Sequence, residues 1–104
     1  MKREMVFLRH PTHGKRGTRI DRAKYELVRA AIIQCLEAKS RLTFDELLAA
    51  VAEILPLEFE GDPNWYTTWV KLDLEAHRKI RRVPHSHIQH LELTRRRPQT
   101  GRRR

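Results

Sequence analysis

From position 21 to about 39, apolar residues recur at the spacing of one helical face: Tyr25, Val28, Ala31, Ile32, Cys35 and Leu36, with Arg22, Glu26 and Arg29 between them. Side chains three and four residues apart share one side of a helix, so this pattern predicts a first helix with Asp21 as its N-cap. A second begins at Thr43. Glu46 stands three residues later to complete a capping box, and Leu42 and Leu47 are placed to staple the first turn. Its core stripe is Leu47, Leu48, Val51, Ile54 and Leu55, and Pro56 ends it near Leu55, because a residue before proline is pushed out of the helical region. Gly61-Asp62-Pro63 opens a third helix, with Asp62 as cap and Pro63 at the first position, where its missing N–H costs nothing. That helix is expected to run to about Lys79.

The periodicity changes on both sides of these helices. Residues 80–83 and 88–94 read as two strands joined by a Pro84-His85-Ser86-His87 turn. Residues 1–20 mix basic side chains with Pro11, Gly14 and Gly17, which rules out a regular helix and leaves an arm or an edge strand. Residues 95–104 contain no apolar side chain to fold around and are expected to form a disordered, arginine-rich tail. The expected organisation is one domain over residues 21–94, since 104 residues bury too little surface for two cores.

Charge sharpens this division. The chain carries +9 overall. Residues 1–19 hold six Lys/Arg against Glu4, and residues 95–104 hold six Arg and no acid, whereas residues 20–94 have ten Lys/Arg and twelve Asp/Glu. The basicity therefore belongs to the ends. Such ends neutralise phosphates without choosing a sequence. Nothing approaches the roughly 18 apolar residues that span a bilayer. Cys35 has no second cysteine to pair with and falls on an apolar helix face, so it reads as a buried structural thiol in a cytoplasmic protein that does not engage a membrane.

Three helices followed by a hairpin, the third closing in Leu74-Glu75-Ala76-His77-Arg78-Lys79-Ile80-Arg81-Arg82-Val83, resemble a winged helix-turn-helix domain over residues 21–94. In that family a glycine and then a hydrophobic pair usually lead into the wing; here Arg78 and Lys79 occupy the places of the glycine and the first hydrophobic residue. The chain is also similar to a group of small uncharacterised bacterial proteins, through Ile20-Asp21, Lys24-Tyr25-Glu26, Leu42-Thr43, Trp65-Tyr66 and the run Val70-Lys71-Leu72-Asp73-Leu74-Glu75-Ala76. The implied fold class is mainly α (α+β): a three-helix winged helix-turn-helix with a two-stranded C-terminal wing and basic tails.

A wheel at about 100° per residue sorts the third helix. Tyr66, Val70, Leu74 and His77 form one stripe, Trp65, Trp69, Leu72 and Ala76 a second, and Asn64, Thr67, Thr68, Lys71, Glu75 and Arg78 a polar face. In a winged helix the exposed side of this helix enters the major groove. The nucleic-acid-binding candidates are therefore Asn64, Thr67, Thr68, Lys71 and Arg78, with Arg81 and Arg82 on the adjacent backbone and Arg95, Arg96 and Arg97 adding phosphate contacts. The plainer reading is that any amphipathic helix has a polar outer face, and that Asp73 and Glu75 repel phosphate.

Other residues carry weaker signals. Trp69 fits a core position, while Trp65 is either core or a dimer or partner surface. His77, His85, His87 and His90 lack zinc-ligand spacing, and a solvated turn is their ordinary role, so neither metal nor cofactor is expected. Asp45, Glu46, Glu53, Glu58, Glu60 and Asp62 lie around the second helix and its following loop, a solvated face or a surface for a basic partner. Neither a nucleophile with its base nor a phosphate-cradling glycine loop is present, so no enzyme is expected. Two functions follow as expectations: a non-enzymatic nucleic-acid-binding protein, with DNA favoured over RNA, or a winged-helix protein-interaction module using the acidic second helix or the Trp65 surface, as a homodimer or with another protein partner.

Overall fold

A computed structural model of the chain describes residues 4–94. Its elements are β1 (Met5–Leu8), β2 (Thr18–Asp21), α1 (Arg22–Lys39), β3 (Arg41–Thr43), α2 (Phe44–Ile54), α3 (Pro63–Ala76), β4 (Ile80–Arg82) and β5 (His90–Leu93). The result is an α+β domain of three helices and two small antiparallel sheets. No helix among the described residues is long and apolar enough to cross a membrane.

The segment read as an arm or an edge strand is a two-stranded hairpin. β1 pairs with β2 from Met5 opposite Asp21 to Leu8 opposite Thr18. Alternation along β1 sends Leu8 inward and leaves Met5 and Phe7 exposed, as a strand period of two requires. Leu8 and Ile20 join the same core as Val28, Ile32, Leu36, Leu47, Val51, Val70 and Leu74. The compositional boundary at residue 20 is therefore not a structural one, because strand and helix share one interior. Gly17 is where the hairpin closes most tightly: a β-carbon there would overlap the Leu8 carbonyl and press on the Phe7 ring.

The helix starts follow from their caps. In α2, Thr43 accepts the Glu46 N–H and the Glu46 carboxylate accepts the Thr43 N–H, the reciprocal pair of the capping box. These hydrogen bonds, the backbone one first, hold the Glu46 carboxyl below its ordinary range. Asp62 caps α3 by accepting the Asn64 N–H, with Pro63 in the first turn. Asp21 stands at the start of α1, but its side chain makes no cap bond; the Arg22 N–H instead donates to the Glu4 carbonyl at 2.7 Å.

α3 ends at Ala76, three residues before the expected Lys79, and the backbone shows why. Arg78 is left-handed at φ 60°. Its N–H donates to the Glu75 carbonyl, and the Lys79 N–H donates to the Leu74 carbonyl at 2.8 Å. This pair of bonds is the Schellman closure, which ordinarily takes glycine at the left-handed position. From there the chain enters β4, and the second sheet has the order β3-β5-β4, with Leu42 opposite Leu91 and Ile80 opposite Leu93. β3 has no counterpart in the sequence reading: three residues between two helices carry no periodicity, and only pairing with β5, 49 positions away at Leu42 and Leu91, makes them a strand.

Candidate nucleic-acid interface

The core-facing side of α3 is rotated from the one the wheel chose. Thr67, Val70, Lys71, Asp73 and Leu74 are the buried residues of this helix. Thr67 is fully buried, and its hydroxyl oxygen has no hydrogen-bond partner among the described residues. Lys71, 2% exposed, is the only Lys or Arg of α3. Its ammonium lies 2.7 Å from Glu75 Oε2, donates to Gln89 Oε1 at 3.0 Å, and sits 4.8 Å from the Phe44 ring centroid. Burial lowers its pKa, and the Glu75 carboxylate works against that shift. Two of the expected base-reading side chains, Thr67 and Lys71, thus belong to the interior.

The remaining expected contacts are exposed but largely engaged. Asn64 is exposed, and Thr68 donates its hydroxyl to the Asn64 carbonyl at 2.7 Å. Arg81 pairs with Glu92 at 3.2 Å and Arg82 with Glu75 at 2.9 Å, so the first β4 cations are already partly neutralised. Arg78 is exposed and pairs with no described acid. Arg95, Arg96 and Arg97 lie outside the described residues. The outer surface of α3 consequently presents Asn64, Trp65, Thr68 and Leu72, and no cation.

Three cations without an ion pair stand together on the loop between β1 and β2, whereas Arg19, Arg29, Lys39 and Lys79, which also pair with no described acid, are distributed over β2, α1 and the α3–β4 turn. Arg9, Lys15 and Arg16 are exposed, make no ion pair with another described residue, and line an open cavity of about 730 Å³ together with His10, His13 and Ala76 at the end of α3. Pro11 also lines a cleft of about 390 Å³ with Glu75, Arg78, Ile80, Arg81, Arg82 and Thr94. The two hollows share Pro11, which places the basic loop beside the α3–β4 corner. Thr94, the last described residue, lines the second hollow, and Arg95, Arg96 and Arg97 follow it in sequence.

One buried carboxylate fixes the loop there. Asp73, 3% exposed, accepts the Arg9 N–H at 2.8 Å and the Tyr25 hydroxyl at 3.2 Å, and lies 3.4 Å from His77 Nδ1. Burial and then the nearby Asp73 charge push the Tyr25 phenol up, which keeps it a donor. β1, α1 and α3 are tied at this point, and the loop leaves β1 directly over the C-terminal turn of α3.

A row of rings leads away from the basic surface along α3. His10 meets Trp69 edge-on at 6.2 Å, Trp69 lies 6.4 Å from Trp65, Trp65 4.9 Å from Tyr66, and Tyr66 5.3 Å from Phe59. Trp69 and Tyr66 pack against the core, whereas Trp65 is 43% exposed. At the opposite end Glu58, Glu60 and Asp62 are exposed in the α2–α3 connection, and the Lys24 ammonium lies 5.2 Å from the Tyr66 ring centroid and 5.9 Å from that of Phe59.

Sequence reasoning missed the loop because it assigned the charge of residues 1–19 to an arm. The signal was present in the cations flanking His10-Pro11-Thr12-His13-Gly14, bounded by two short runs that end in Leu8 and Ile20. Among the described residues, no group of three or more His, Cys, Asp or Glu side chains comes together as a metal ion would require. No curated protein and no solved structure matches the chain. A family model described as a family of unknown function (DUF6958) matches residues 5–91, from the start of β1 into β5, and the chain belongs to that family.

Proposed function

We propose that this chain is a non-enzymatic nucleic-acid-binding protein built as a winged helix-turn-helix, and that its phosphate-contacting surface is the β1–β2 loop and the α3–β4 corner rather than the outer face of α3. Support for the winged-helix reading comes from the sheet order β3-β5-β4, the strand between α1 and α2, and the left-handed Arg78 where the family ordinarily has glycine. The β4–β5 connection then corresponds to the wing.

The observation that carries the functional reading is the clustering of Arg9, Lys15, Arg16 and Arg78, none of them paired with a described acid, around two hollows that share Pro11. Unpaired cations at a concave surface attract polyanions and release their counterions on binding. The arginine-rich residues after Thr94 extend the same charge. A protein-interaction module is the second reading, favoured by the cation-free outer face of α3 and by the half-exposed Trp65.

The test is a salt series on the full chain. Each phosphate contact contributes about 0.9 to the slope of log K against log salt for duplex DNA, and about 0.7 for single strands. The double variant Lys15→Gln, Arg16→Gln is expected to lower that slope by roughly 1.5 with its residues 95–104 intact. An unchanged slope, with all binding lost on deleting residues 95–104, would assign the affinity to the C-terminal arginines alone and remove the folded surface from the account.

A further inference from the structure

We infer that the aromatic row along α3 is a stacking platform for unpaired bases, so that the ligand of the basic surface is single-stranded nucleic acid. This rests on the reading of that surface as a nucleic-acid site and adds which form it takes.

A helix that reads duplex DNA from the major groove needs cations and amides on its outer face to reach phosphates and base edges. α3 has one cation, Lys71, and it is buried between Glu75, Gln89 and the Phe44 ring. The outer face offers indole surface instead: Trp65 is 43% exposed, and the Trp65 and Trp69 rings are tilted 53° to each other at 6.4 Å. Exposed indole stacks on any base, because every base has a π-face, but only once the base has left the duplex. A groove or patch of cations beside such rings is the usual partner of a stacking row, since it holds the backbone that carries the bases.

The charge distribution selects this occupant and its direction. At one end the row touches the basic loop through the His10–Trp69 contact, with Arg9, Lys15 and Arg16 around it. At the other end the exposed Glu58, Glu60 and Asp62, which repel phosphate, outnumber the single Lys24 ammonium that sits over the Tyr66 and Phe59 rings. A strand is therefore held at the loop, laid over Trp69 and Trp65, and turned away before the α2–α3 connection. A protein partner with an acidic and apolar surface would satisfy the loop but not the acidic end; one with a basic surface would do the reverse.

Both tryptophans of the chain stand in this row, so tryptophan fluorescence reports on the row. The experiment titrates the full chain with oligothymidylate and oligouridylate of about 15 nucleotides and with a duplex of equal length. Single strands are expected to quench the emission and to bind about tenfold more tightly than the duplex, and Trp65→Leu to remove roughly that advantage. Trp65→Phe, which keeps a ring, restores it. Trp65 is exposed enough that neither change should unfold the chain, and the thermal midpoint of each variant checks this. Equal or tighter duplex binding without quenching, still weakened by Lys15→Gln with Arg16→Gln, would overturn the stacking platform and leave the basic surface standing. Absence of binding to any nucleic acid would instead overturn the functional reading beneath it. A concentration-dependent doubling of mass that Trp65→Leu abolishes would make the face a protein contact and also overturn the proposal.

Discussion

Thr67 shows how a single hydroxyl separates two accounts of α3. On the sequence wheel it belongs with Asn64 and Lys71 on a polar face, yet its side chain is fully buried and its oxygen is unpartnered among the described residues. Replacing a buried, unsatisfied polar group by an apolar one of the same shape is neutral or stabilising, whereas losing a phosphate contact weakens binding. Thr67→Val is therefore expected to leave the unfolding free energy unchanged or raise it by about 1 kcal/mol, with nucleic-acid affinity unaltered. Chemical denaturation and a binding curve on the same sample check both halves. Glu46 makes a second prediction at this scale. Its folded pKa is lowered, so its contribution to stability is fully present above its ordinary value of 4.5 and is lost as the pH falls through the lowered folded value. Glu46→Gln cannot titrate, so the drop in thermal midpoint between about pH 7 and about pH 3 should be smaller in this variant than in the parent. An identical drop would mean that the capping carboxylate does not contribute to acid sensitivity.

At the scale of elements, two glycine-like positions hold the site in place. At the end of α3, Arg78 adopts φ 60° in a closure that favours glycine, and a non-glycine residue there costs about 1 kcal/mol. Arg78→Gly should thus stabilise the fold by about that amount while weakening nucleic-acid binding, an opposition of signs that a general structural effect does not produce. In the β1–β2 hairpin, the β-carbon of Gly17→Ala would collide with the Leu8 carbonyl, a backbone atom that cannot swing aside. This variant is expected to lose about 2 kcal/mol or more of stability and, with the loop displaced, to lose binding by the basic surface. Thermal melting alongside the salt series tests it.

Much of this element level was legible beforehand. The Thr43 and Glu46 capping box and the Asp62-Pro63 start lie within a few residues of each other, and local chemistry decides them. The β1–β2 hairpin and β3 were not legible in the same way, because they exist through partners that the local pattern does not name: Leu8 and Ile20 through the core of α1 and α3, and Leu42 through Leu91. The face of α3 was misjudged for a related reason. Thr67, Val70, Lys71 and Leu74 already have the spacing of a buried stripe, but polarity concealed it, since a lysine is accepted inside only where Glu75 and Gln89 meet it.

For the whole molecule, the net charge of +9 is less informative than its placement. The folded part divides into a basic end, formed by the β1–β2 loop and the α3–β4 corner, and an acidic end at the α2–α3 connection, with α3 and its rings running between them. The arginines of residues 95–104 follow Thr94 in sequence, and Thr94 lines the cleft at the basic end. Polyanions should therefore approach with a fixed polarity, and added salt should slow association as well as weaken it. The measurement that tests this central claim most directly is a backbone and indole amide titration of the full chain with a short oligonucleotide, followed by nuclear magnetic resonance. The account predicts shifts concentrated at Arg9, His10, Lys15, Arg16 and Arg78 and at the Trp65 and Trp69 indoles, with Asp45, Glu53 and Glu58 unmoved. Shifts confined to residues 95–104, or centred on the acidic face of α2, would contradict it.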